Sequence, residues 1–316
     1  MPQKTALVFG SQGQDGSLMC KSLLKQNYRV IGLTRGNNKK ISNHSILGIE
    51  KEIKIFKGDI KDCKIVRNLI EKFQPCEIYN LAAETSVGKS FKDPQNTISS
   101  SVEGTINILE VSKSLAFDGN IFFAGSSEMF GYTNKPASLN HTQVPMSPYA
   151  IGKQSSFNLV KMYRELYDLN CVTGVLFNHE SPLRQEYFVT HKIISGAIKC
   201  LNNKSHKIEL GNLDIGRDWG WAEEYIEAIQ LMNRSNKAND QVICTGHLTT
   251  LMRFIELTFM KLNLNWEDHI RSSKNNFRSH DIIKSYGNPK QIKKDLGWEA
   301  KVNIEELIEK LIEAKL

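Results

Sequence analysis

Short apolar runs alternate with longer amphipathic stretches through the first half of the chain. The short runs are rich in β-branched and aromatic residues, as buried strands are, and they read "TALVF", "YRVIGLT", "EIKIF", "CEIYNLAA", "NIFFAGS" and "NCVTGVLF". Between them lie segments with apolar residues at helical spacing, such as "GSLMCKSLLKQ", "DCKIVRNLIEKF", "EGTINILEVSKSLA" and "SPYAIGKQSSFNLVKMYRELY". This alternation predicts βαβ units around a doubly wound parallel sheet of six or seven strands, over roughly residues 3–177.

The second half of the chain has a looser pattern. From "NHESPLRQEYF" onward the sequence indicates loops, short strands and helices, and it ends in the amphipathic pattern "NIEELIEKLIEAKL". We therefore predict an α/β protein in two parts. A doubly wound parallel sheet occupies residues 1–177, with later segments returning to it, and a smaller C-terminal α/β lobe occupies residues 178–316.

Composition and charge narrow the classes of partner. The chain has 316 residues, 41 Lys and Arg against 34 Asp and Glu, and no basic stripe, so it offers no support for a nucleic-acid partner and favours a small anionic ligand. No apolar run approaches the roughly 18 residues of a membrane span. The six cysteines are isolated and the first residues lack a signal-peptide pattern, so we predict reduced thiols, no metal site and a cytoplasmic location.

Three glycines lie between the first predicted strand and the first predicted helix. Gly10, Gly13 and Gly16 are spaced three apart in "GSQGQDGS". In this context glycines permit a tight bend, close approach of the backbone to a pyrophosphate and close helix–strand packing, while the helix N-terminus attracts the anion. A glycine-rich turn that only changes the chain direction is the alternative. The strand before and the helix after favour a dinucleotide-binding loop.

The end of the second strand bears on which dinucleotide is bound. NAD sites usually have an acid there, yet this chain has Thr34 and Arg35. A guanidinium suits a 2′-phosphate, which favours NADP over NAD, although Arg35 is also compatible with a solvated strand end. Asp59, after the third strand, is positioned either to bond the adenine or to cap the helix that begins near Asp62.

A Tyr-Lys pair and a serine form a candidate catalytic set. Tyr149 and Lys153 are four residues apart near the start of a predicted helix and therefore share one face. A nearby cation is what a tyrosine needs to act as a base near neutral pH. Such a pair is common by chance. It is supported by Ser126, which lies at the carboxyl end of a predicted strand in "FFAGSSEMFG". The alternative is that Ser126 only forms hydrogen bonds to the backbone at the strand end.

Glu128 extends this set beyond simple hydride transfer. A carboxylate beside Ser, Tyr and Lys is what a reaction needs when a proton must leave a carbon next to a carbonyl. The alternative is an acid at a helix N-terminus. We favour the catalytic role.

These motifs resemble those of the GDP-mannose 4,6-dehydratases, which are NADP-dependent extended short-chain dehydrogenases acting on nucleotide sugars. The similarity runs nearly end to end, through "GSQGQDGS", "EIYNLAAETSVGKSF", "GSSEMFG", "SPYAIGK", "LFNHESPLR", "FVTHKI", "LGNLDIGRDWGWAEEY", "FRSHD" and "GNPKQIKKDLGW". The resemblance implies an NADP-binding Rossmann domain with a smaller sugar-nucleotide lobe. It also implies a reaction that oxidises the 4-hydroxyl, eliminates water across carbons 5 and 6, and returns the hydride to carbon 6.

The resemblance assigns roles to individual residues. Tyr149 would be the base for the 4-hydroxyl, Lys153 its partner and Glu128 the group that takes the proton from carbon 5, with Ser126 standing where the family has Thr. The implied cofactor-binding residues are Gly10, Gly13, Gln14, Asp15, Gly16, Arg35, Asp59, Ile60, Leu81, Ala82, Ala83, Tyr149, Lys153 and His179. The implied substrate-binding residues are Thr85, where the family has Ser, and Ser86, Asn178, Arg184, Val189, Lys192, Gly211, Asn212, Arg217, Arg278 and Asp281.

Two of these residues also fit a role unrelated to substrate binding. Lys192 is also compatible with a helix-surface charge, and Asp281 with a solvated acid.

Several positions depart from the family pattern. Leu183 replaces a cation in "PLR", Gly36 replaces a second Arg in a loop that in relatives reaches a neighbouring subunit, and the segment before Arg278 is short. We expect a homo-oligomer, either a dimer or a tetramer, and a GDP-sugar substrate that is GDP-mannose or alternatively a GDP-manno-heptose. A GDP-sugar reductase or epimerase, which would not need Glu128, and a non-catalytic NADP-sensing scaffold are the competing readings.

Overall fold

The computed structural model describes residues 3–36, 41–235, 239–273 and 282–316. The chain divides into two compact units. Unit 1 comprises Met1–Met129, Gln143–Leu176 and Ile226–Gln241, and unit 2 comprises Phe130–Thr142, Phe177–Tyr225 and Val242–Leu316.

Strands and helices alternate along unit 1 and become shorter and less regular in unit 2. The strands are β1 (Thr5–Phe9), β2 (Arg29–Thr34), β3 (Lys54–Lys57), β4 (Glu77–Asn80), β5 (Asn120–Ser126), β6 (Cys171–Leu176), β7 (Asn178–Glu180), β8 (Ile208–Leu210), β9 (Gly216–Arg217), β10 (Trp219–Trp221), β11 (Gln241–Ile243), β12 (Thr249–Thr250), β13 (Ile270–Ser272) and β14 (Lys284–Ser285). The helices are α1 (Gln14–Lys25), α2 (Asn43–Ile46), α3 (Cys63–Phe73), α4 (Val87–Ser90), α5 (Pro94–Ser114), α6 (Pro148–Tyr167), α7 (Val189–Asn202), α8 (Ala222–Asn233), α9 (Leu251–Lys261), α10 (Lys290–Leu296) and α11 (Ile304–Glu313).

The main sheet has the doubly wound order that the sequence predicts. Its seven strands lie in the order β11, β6, β5, β4, β1, β2, β3, and the neighbouring pairs from β6 to β3 are parallel. Strand β4 pairs with β1 on one side and with β5 on the other, so the carboxyl ends of these three strands meet at one edge of the sheet. The α/β fold class is therefore confirmed.

Burial of both faces explains why the strands of unit 1 appear as continuous apolar runs. All six residues of β6 are buried, as are the last four of β1. A parallel sheet covered by helices on both sides leaves no face for polar residues. Leu7, Phe9 and Ile31 belong to the unit 1 core, and burying each such side chain stabilises the fold by about 1.5–3 kcal/mol.

Helix α5 begins earlier than the apolar periodicity predicts. The pattern indicates a start at Glu103, whereas the helix begins at Pro94. The side chain of Asp93 accepts a hydrogen bond from the N–H of Asn96, and Pro94 occupies the first turn, where its missing N–H costs nothing. Capping, and not the apolar periodicity, therefore determines where this helix begins.

The core of unit 2 is formed by small sheets and packed helices. Strand β7 pairs with β10, β8 with β13, and β9 lies between β12 and β14. Helices α7, α9 and α11 contribute to its core through side chains such as Ile193, Phe254 and Leu307. The amphipathic C-terminal helix predicted from the sequence is confirmed, with its apolar face buried.

Membrane-spanning helices and metal-binding clusters are both absent from the described residues. No helix there has the length and apolar character needed to cross a bilayer. The same residues contain no group of three or more His, Cys, Asp and Glu side chains arranged to hold a metal ion.

Candidate active site

Two of the three glycines, Gly10 and Gly16, lie where the backbone is too crowded for a side chain. Gly10 has φ +78°, and a Cβ there would lie 2.8 Å from the backbone of Ala82. A Cβ on Gly16 would lie 2.2 Å from the Gly10 carbonyl oxygen. The loop between β1 and α1 therefore packs backbone against backbone and can be built only with glycine at these two positions.

The remaining glycine, Gly13, leaves the start of helix α1 accessible to a ligand. Gly13 is the N-cap of α1 and makes no side-chain hydrogen bond to the first turn. The N–H groups of a first helical turn lack intrahelical partners, and the helix dipole favours an anion there. These features fit the pyrophosphate of a dinucleotide, which the sequence predicts for this loop.

The ends of β2 and β3 place a cation and a carboxylate near each other. Arg35 follows β2 directly, its side chain is 53% exposed, and its guanidinium lies 4.0 Å from the Asp59 carboxylate. The Asp59 side chain accepts a hydrogen bond from the N–H of Lys61. Helix α3 is capped by Asp62 and not by Asp59, so the capping role considered for Asp59 belongs to its neighbour.

Ser126 and Glu128 lie close together in the chain at the carboxyl end of β5. Ser126 is the last residue of the strand, and Glu128 lies in the 3₁₀ turn Ser127–Phe130 that follows. The Ser126 Oγ accepts a hydrogen bond of 3.3 Å from the Glu128 N–H. Ser126 is buried and Glu128 is half-buried. The strand end therefore presents a hydroxyl and a carboxylate from adjacent positions.

Tyr149 and Lys153 lie in the first two turns of α6, as predicted. Ser147 caps the helix by accepting a hydrogen bond from the N–H of Ala150, and Pro148 opens it. The Lys153 Nζ donates a 2.7 Å hydrogen bond to the carbonyl oxygen of Ala124 in β5 and lies 5.9 Å from the Tyr149 ring centroid. The lysine therefore ties the helix that carries Tyr149 to the strand that carries Ser126.

Burial alters the acidity of this lysine. Lys153 is 7% exposed, and burial lowers the pKa of its ammonium group to about 8, against a smaller opposing effect of Asp15. Asp15 belongs to the first turn of α1, the helix that follows the glycine loop. With a pKa of about 8 the ammonium group is still largely protonated at pH 7, and a cation beside a tyrosine stabilises a phenolate.

The segment after β4 lies against the glycine loop. The N–H of Leu81 donates to the Phe9 carbonyl oxygen at 3.0 Å, and Ala82 and Ala83 follow half-buried. Thr85 is exposed, and Ser86 caps α4 by accepting from the N–H of Lys89. Ile60, which is buried, belongs to the unit 1 core.

Sequence reasoning missed Glu84 in the same segment. Its carboxylate accepts hydrogen bonds from the N–H groups of Thr85 at 3.0 Å and of Ser86 at 3.1 Å, and so orders the turn that holds both.

In unit 2, a buried carboxylate orders the segment that follows β7. Glu180 is 1% exposed, accepts a hydrogen bond from the Thr190 hydroxyl at 2.9 Å and lies 3.2 Å from the Nε of Arg184. The Arg184 guanidinium also donates to the His179 carbonyl oxygen at 2.8 Å and stacks on the Phe188 ring. No local sequence pattern indicates that Glu180 positions Arg184.

The ring of His179 is fixed by a backbone carbonyl just before its strand and by a stacked tyrosine. Its Nδ1 lies 2.7 Å from the Phe177 carbonyl oxygen, and its ring stacks on Tyr225 at 4.6 Å. Because a carbonyl oxygen only accepts, Nδ1 carries the hydrogen. Asn178 precedes it in β7, where the strand pairs with β10.

The remaining predicted substrate residues of unit 2 are spread over three elements. Val189 and Lys192 lie in the first turn of α7, and the Lys192 Nζ donates to the Glu209 carbonyl oxygen at 2.5 Å. Arg217 is 7% exposed and donates to the Ile282 carbonyl oxygen at 2.6 Å. Gly211 and Asn212 follow β8, whereas Arg278 and Asp281 lie outside the described residues.

Asp218 is a second buried carboxylate that the sequence did not single out. It is fully buried and accepts hydrogen bonds from the hydroxyl and N–H of Thr245, the N–H of Gly246 and the N–H of Gly287. It therefore fixes two remote segments, residues 245–246 and residue 287, next to Arg217.

Comparison with known proteins identifies the family. The sequence profile described as GDP-mannose 4,6 dehydratase matches residues 7–311. The chain belongs to the GDP-mannose 4,6-dehydratase family. It is 37% identical to GDP-mannose 4,6 dehydratase 1 of Arabidopsis thaliana over 326 residues, which cover 100% of this chain and 90% of the relative. It is 31% identical to the Homo sapiens GDP-mannose 4,6 dehydratase over 340 residues, which cover 99% and 91% of the two chains.

Solved structures support the fold of this GDP-mannose 4,6-dehydratase family member. A UDP-glucose 4-epimerase from Thermotoga maritima superposes with a TM-score of 0.87 at 21% identity, covering 98% of both chains. A dTDP-glucose 4,6-dehydratase from Bacillus anthracis, solved with NAD, superposes with a TM-score of 0.86 at 19% identity, covering 98% of this chain and 96% of the other. At such identities the likeness extends to the fold alone.

Proposed function

We propose that this chain converts GDP-mannose to GDP-4-keto-6-deoxymannose by internal hydride transfer, with NADP as the resident cofactor. Family membership supports the reaction, and the glycine loop fits the cofactor pyrophosphate. The observation that carries the proposal is that Ser126 ends β5 and Glu128 lies in the turn directly after it, while the Ala124 carbonyl oxygen of the same strand holds Lys153.

Tyr149, Ser126 and Lys153 serve the oxidation at carbon 4. Tyr149 accepts the proton of the 4-hydroxyl, Ser126 bonds the same oxygen, and the Lys153 cation stabilises the phenolate. When bound, NADP supplies the acceptor for the hydride of carbon 4 and the donor that returns it to carbon 6. The carbonyl group formed at carbon 4 makes the proton on carbon 5 acidic, so oxidation precedes elimination.

Glu128 serves the elimination. Its carboxylate removes the proton from carbon 5 and delivers a proton to the departing 6-hydroxyl, so that water leaves and a double bond forms between carbons 5 and 6. When the hydride arrives at carbon 6, a proton returns to carbon 5. This proton balances the one that Tyr149 took from the 4-hydroxyl. The net change is the loss of one water, and the cofactor ends in its starting state.

Arg35 and the unit 2 residues set the specificity in this proposal. Arg35, exposed at the end of β2, pairs with the 2′-phosphate of NADP. In unit 2 the sugar nucleotide contacts the substrate residues already named, with Lys192 and Arg184 as cationic partners of the diphosphate. Within unit 1, Thr85 and Ser86 contact the sugar.

The proposal extends to assembly and location. We expect a homo-oligomer, whose subunit number light scattering would measure. We also expect a cytoplasmic enzyme, since all six cysteines are unpaired thiols, as proteins in reducing compartments have.

A nucleotide-sugar panel tests the function. Purified protein is incubated with GDP-mannose, a GDP-manno-heptose and UDP-, CDP- and dTDP-sugars, with catalytic NADP, and products are examined by mass spectrometry. We expect GDP-mannose to lose one water, and deuterium placed on carbon 4 to appear on carbon 6. In a parallel incubation with excess NADPH, stoichiometric consumption of NADPH would indicate a reductase. Reaction only with a UDP- or dTDP-sugar would refute the assignment.

A further inference from the structure

A short helix after β2 contributes two buried side chains to the back of the glycine loop. Asn43 and His44 open helix α2 and are 2% and 1% exposed. The His44 Nε2 lies 2.7 Å from the Ser11 carbonyl oxygen, and the Asn43 Nδ2 donates to the Gln12 carbonyl oxygen at 3.1 Å. Neither residue belongs to the glycine motif or to the catalytic set.

The ring of His44 acts as a donor in this contact. A carbonyl oxygen only accepts, so Nε2 carries the hydrogen. Burial lowers the pKa of His44, which keeps the ring neutral and leaves it a single N–H to donate. The Ser17 hydroxyl donates to the same Ser11 oxygen at 3.1 Å, so two side chains hold this carbonyl.

Fixing the carbonyl of residue 11 also fixes the N–H that follows it. A trans peptide is planar, and its C=O and N–H point in opposite directions. The N–H of Gln12 therefore points away from His44 and Ser17. The other loop carbonyls are also engaged, because the Gly10 oxygen accepts from the N–H of Gly13 at 3.0 Å. The loop carbonyls of residues 10–12 are held by protein donors, so they do not turn towards an anion.

We propose that His44 and Asn43 are positioning residues that hold the loop of residues 10–13 in its anion-binding conformation and thereby raise the affinity for the dinucleotide pyrophosphate. This inference rests on the proposed function, since it takes the loop's ligand to be a dinucleotide. Preorganisation of this kind strengthens binding because the ordering of the loop has already occurred in the free protein.

Titration of the full chain with NADPH, followed by nicotinamide fluorescence, tests the proposal. We expect the NADPH dissociation constant to rise about tenfold in His44→Ala and in Asn43→Ala, the effect of losing one hydrogen bond of about 1.4 kcal/mol. In His44→Gln the amide nitrogen can replace Nε2 as donor, so we expect binding within about threefold of the unsubstituted protein.

His269→Ala is the matched control. His269 is also a buried histidine bonded to a backbone carbonyl, with its Nδ1 2.9 Å from the His206 oxygen, but it lies in unit 2. We expect unchanged NADPH affinity there. Thermal unfolding of each ligand-free variant separates loss of loop order from loss of the fold, and Asn43→Ala carries the test if His44→Ala does not fold.

Three results would overturn the inference: an unchanged dissociation constant in both alanine variants, equal weakening in His269→Ala, or no recovery in His44→Gln. Failure of the unsubstituted chain to bind NADPH or NADH would instead refute the proposed function, and the inference with it. Binding that is normal and insensitive to residues 43 and 44 would refute the inference alone.

Discussion

The Lys153 Nζ donates a 2.7 Å hydrogen bond to the carbonyl oxygen of Ala124. This contact joins the second turn of α6 to the last residues of β5, and it holds an ammonium group in a site that is 7% exposed. A buried cation with one neutral hydrogen-bond acceptor is costly, because the loss of hydration is only partly compensated. The position of Lys153 therefore costs stability, and we attribute this cost to the catalytic role proposed for Lys153.

The first prediction concerns the pH dependence of stability. The folded pKa of Lys153, about 8, lies below its ordinary value of 10.5, so between these pH values the unfolded chain binds more protons. The free energy of unfolding should therefore rise with pH across this window, by about 3 kcal/mol, from about 1.4 kcal/mol per pKa unit. Urea unfolding at pH 7.5 and pH 10 should reveal this rise, and Lys153→Met should lack it.

The same variant should gain stability at pH 7 and lose activity. We expect Lys153→Met to unfold at higher urea than the unsubstituted protein, yet to dehydrate GDP-mannose at least about 100-fold more slowly. Lys161→Met, which removes a lysine 54% exposed on the same helix, is the control and should change neither property. Equal pH dependence in the Lys153→Met and unsubstituted proteins would contradict the prediction.

Glu128→Gln should stop the elimination while leaving cofactor binding intact. The amide keeps the shape of the side chain but cannot accept the proton of carbon 5, so turnover should fall by about 100-fold to 10,000-fold. Loss of water is followed by mass spectrometry and NADPH binding by fluorescence. Glu103→Gln, a change at an exposed position of α5, serves as the control. A Glu128→Gln protein with normal turnover would remove the carboxylate from the mechanism.

Arg35→Ala should reduce the preference for NADP over NAD. The exposed guanidinium lies at the end of β2, and loss of a charged hydrogen bond of about 1.5–3 kcal/mol should weaken NADPH binding about tenfold to about 100-fold. NADH binding should not change. Arg67→Ala, at a position 40% exposed on α3, is the matched control. Added salt should reduce the difference in NADPH affinity between Arg35→Ala and the unsubstituted protein, because salt screens the ion pair. Equal losses of NADPH and NADH affinity would argue against a 2′-phosphate contact.

The sequence predicts those parts of the molecule whose determinants are local. The strands of unit 1 are visible because burial on both faces requires continuous apolar runs, and Tyr149 and Lys153 are visible because their spacing places them on one helix face. Ser126 and Glu128 follow from the rule that chemistry gathers at the carboxyl ends of parallel strands.

The sequence does not reveal contacts between residues far apart in the chain. The partners of Asp218 lie at Thr245, Gly246 and Gly287, and no local pattern connects them. His44 is likewise a single histidine in a four-residue helix, and its bond to Ser11 appears only when β1 and β2 pair. Such buried polar contacts are settled by tertiary packing, which satisfies each donor and acceptor with whatever segment lies nearby.

Gly16→Ala should damage both the fold and the cofactor site. The added Cβ would lie 2.2 Å from the Gly10 oxygen and 2.8 Å from the Ser11 Cα, and neither backbone atom can move without opening the loop. Overpacking of this kind costs about 1–3 kcal/mol, so the unfolding temperature should fall and NADPH binding should weaken together. Gly88→Ala is the control, because its Cβ would meet nothing closer than the Ser86 Oγ at 4.0 Å and alanine favours the helix there. Calorimetry measures the unfolding temperature of the two variants, and fluorescence titration measures their NADPH affinity. If Gly16→Ala were as stable and bound NADPH as tightly as Gly88→Ala, the loop would relax freely, and its conformation would not determine cofactor binding.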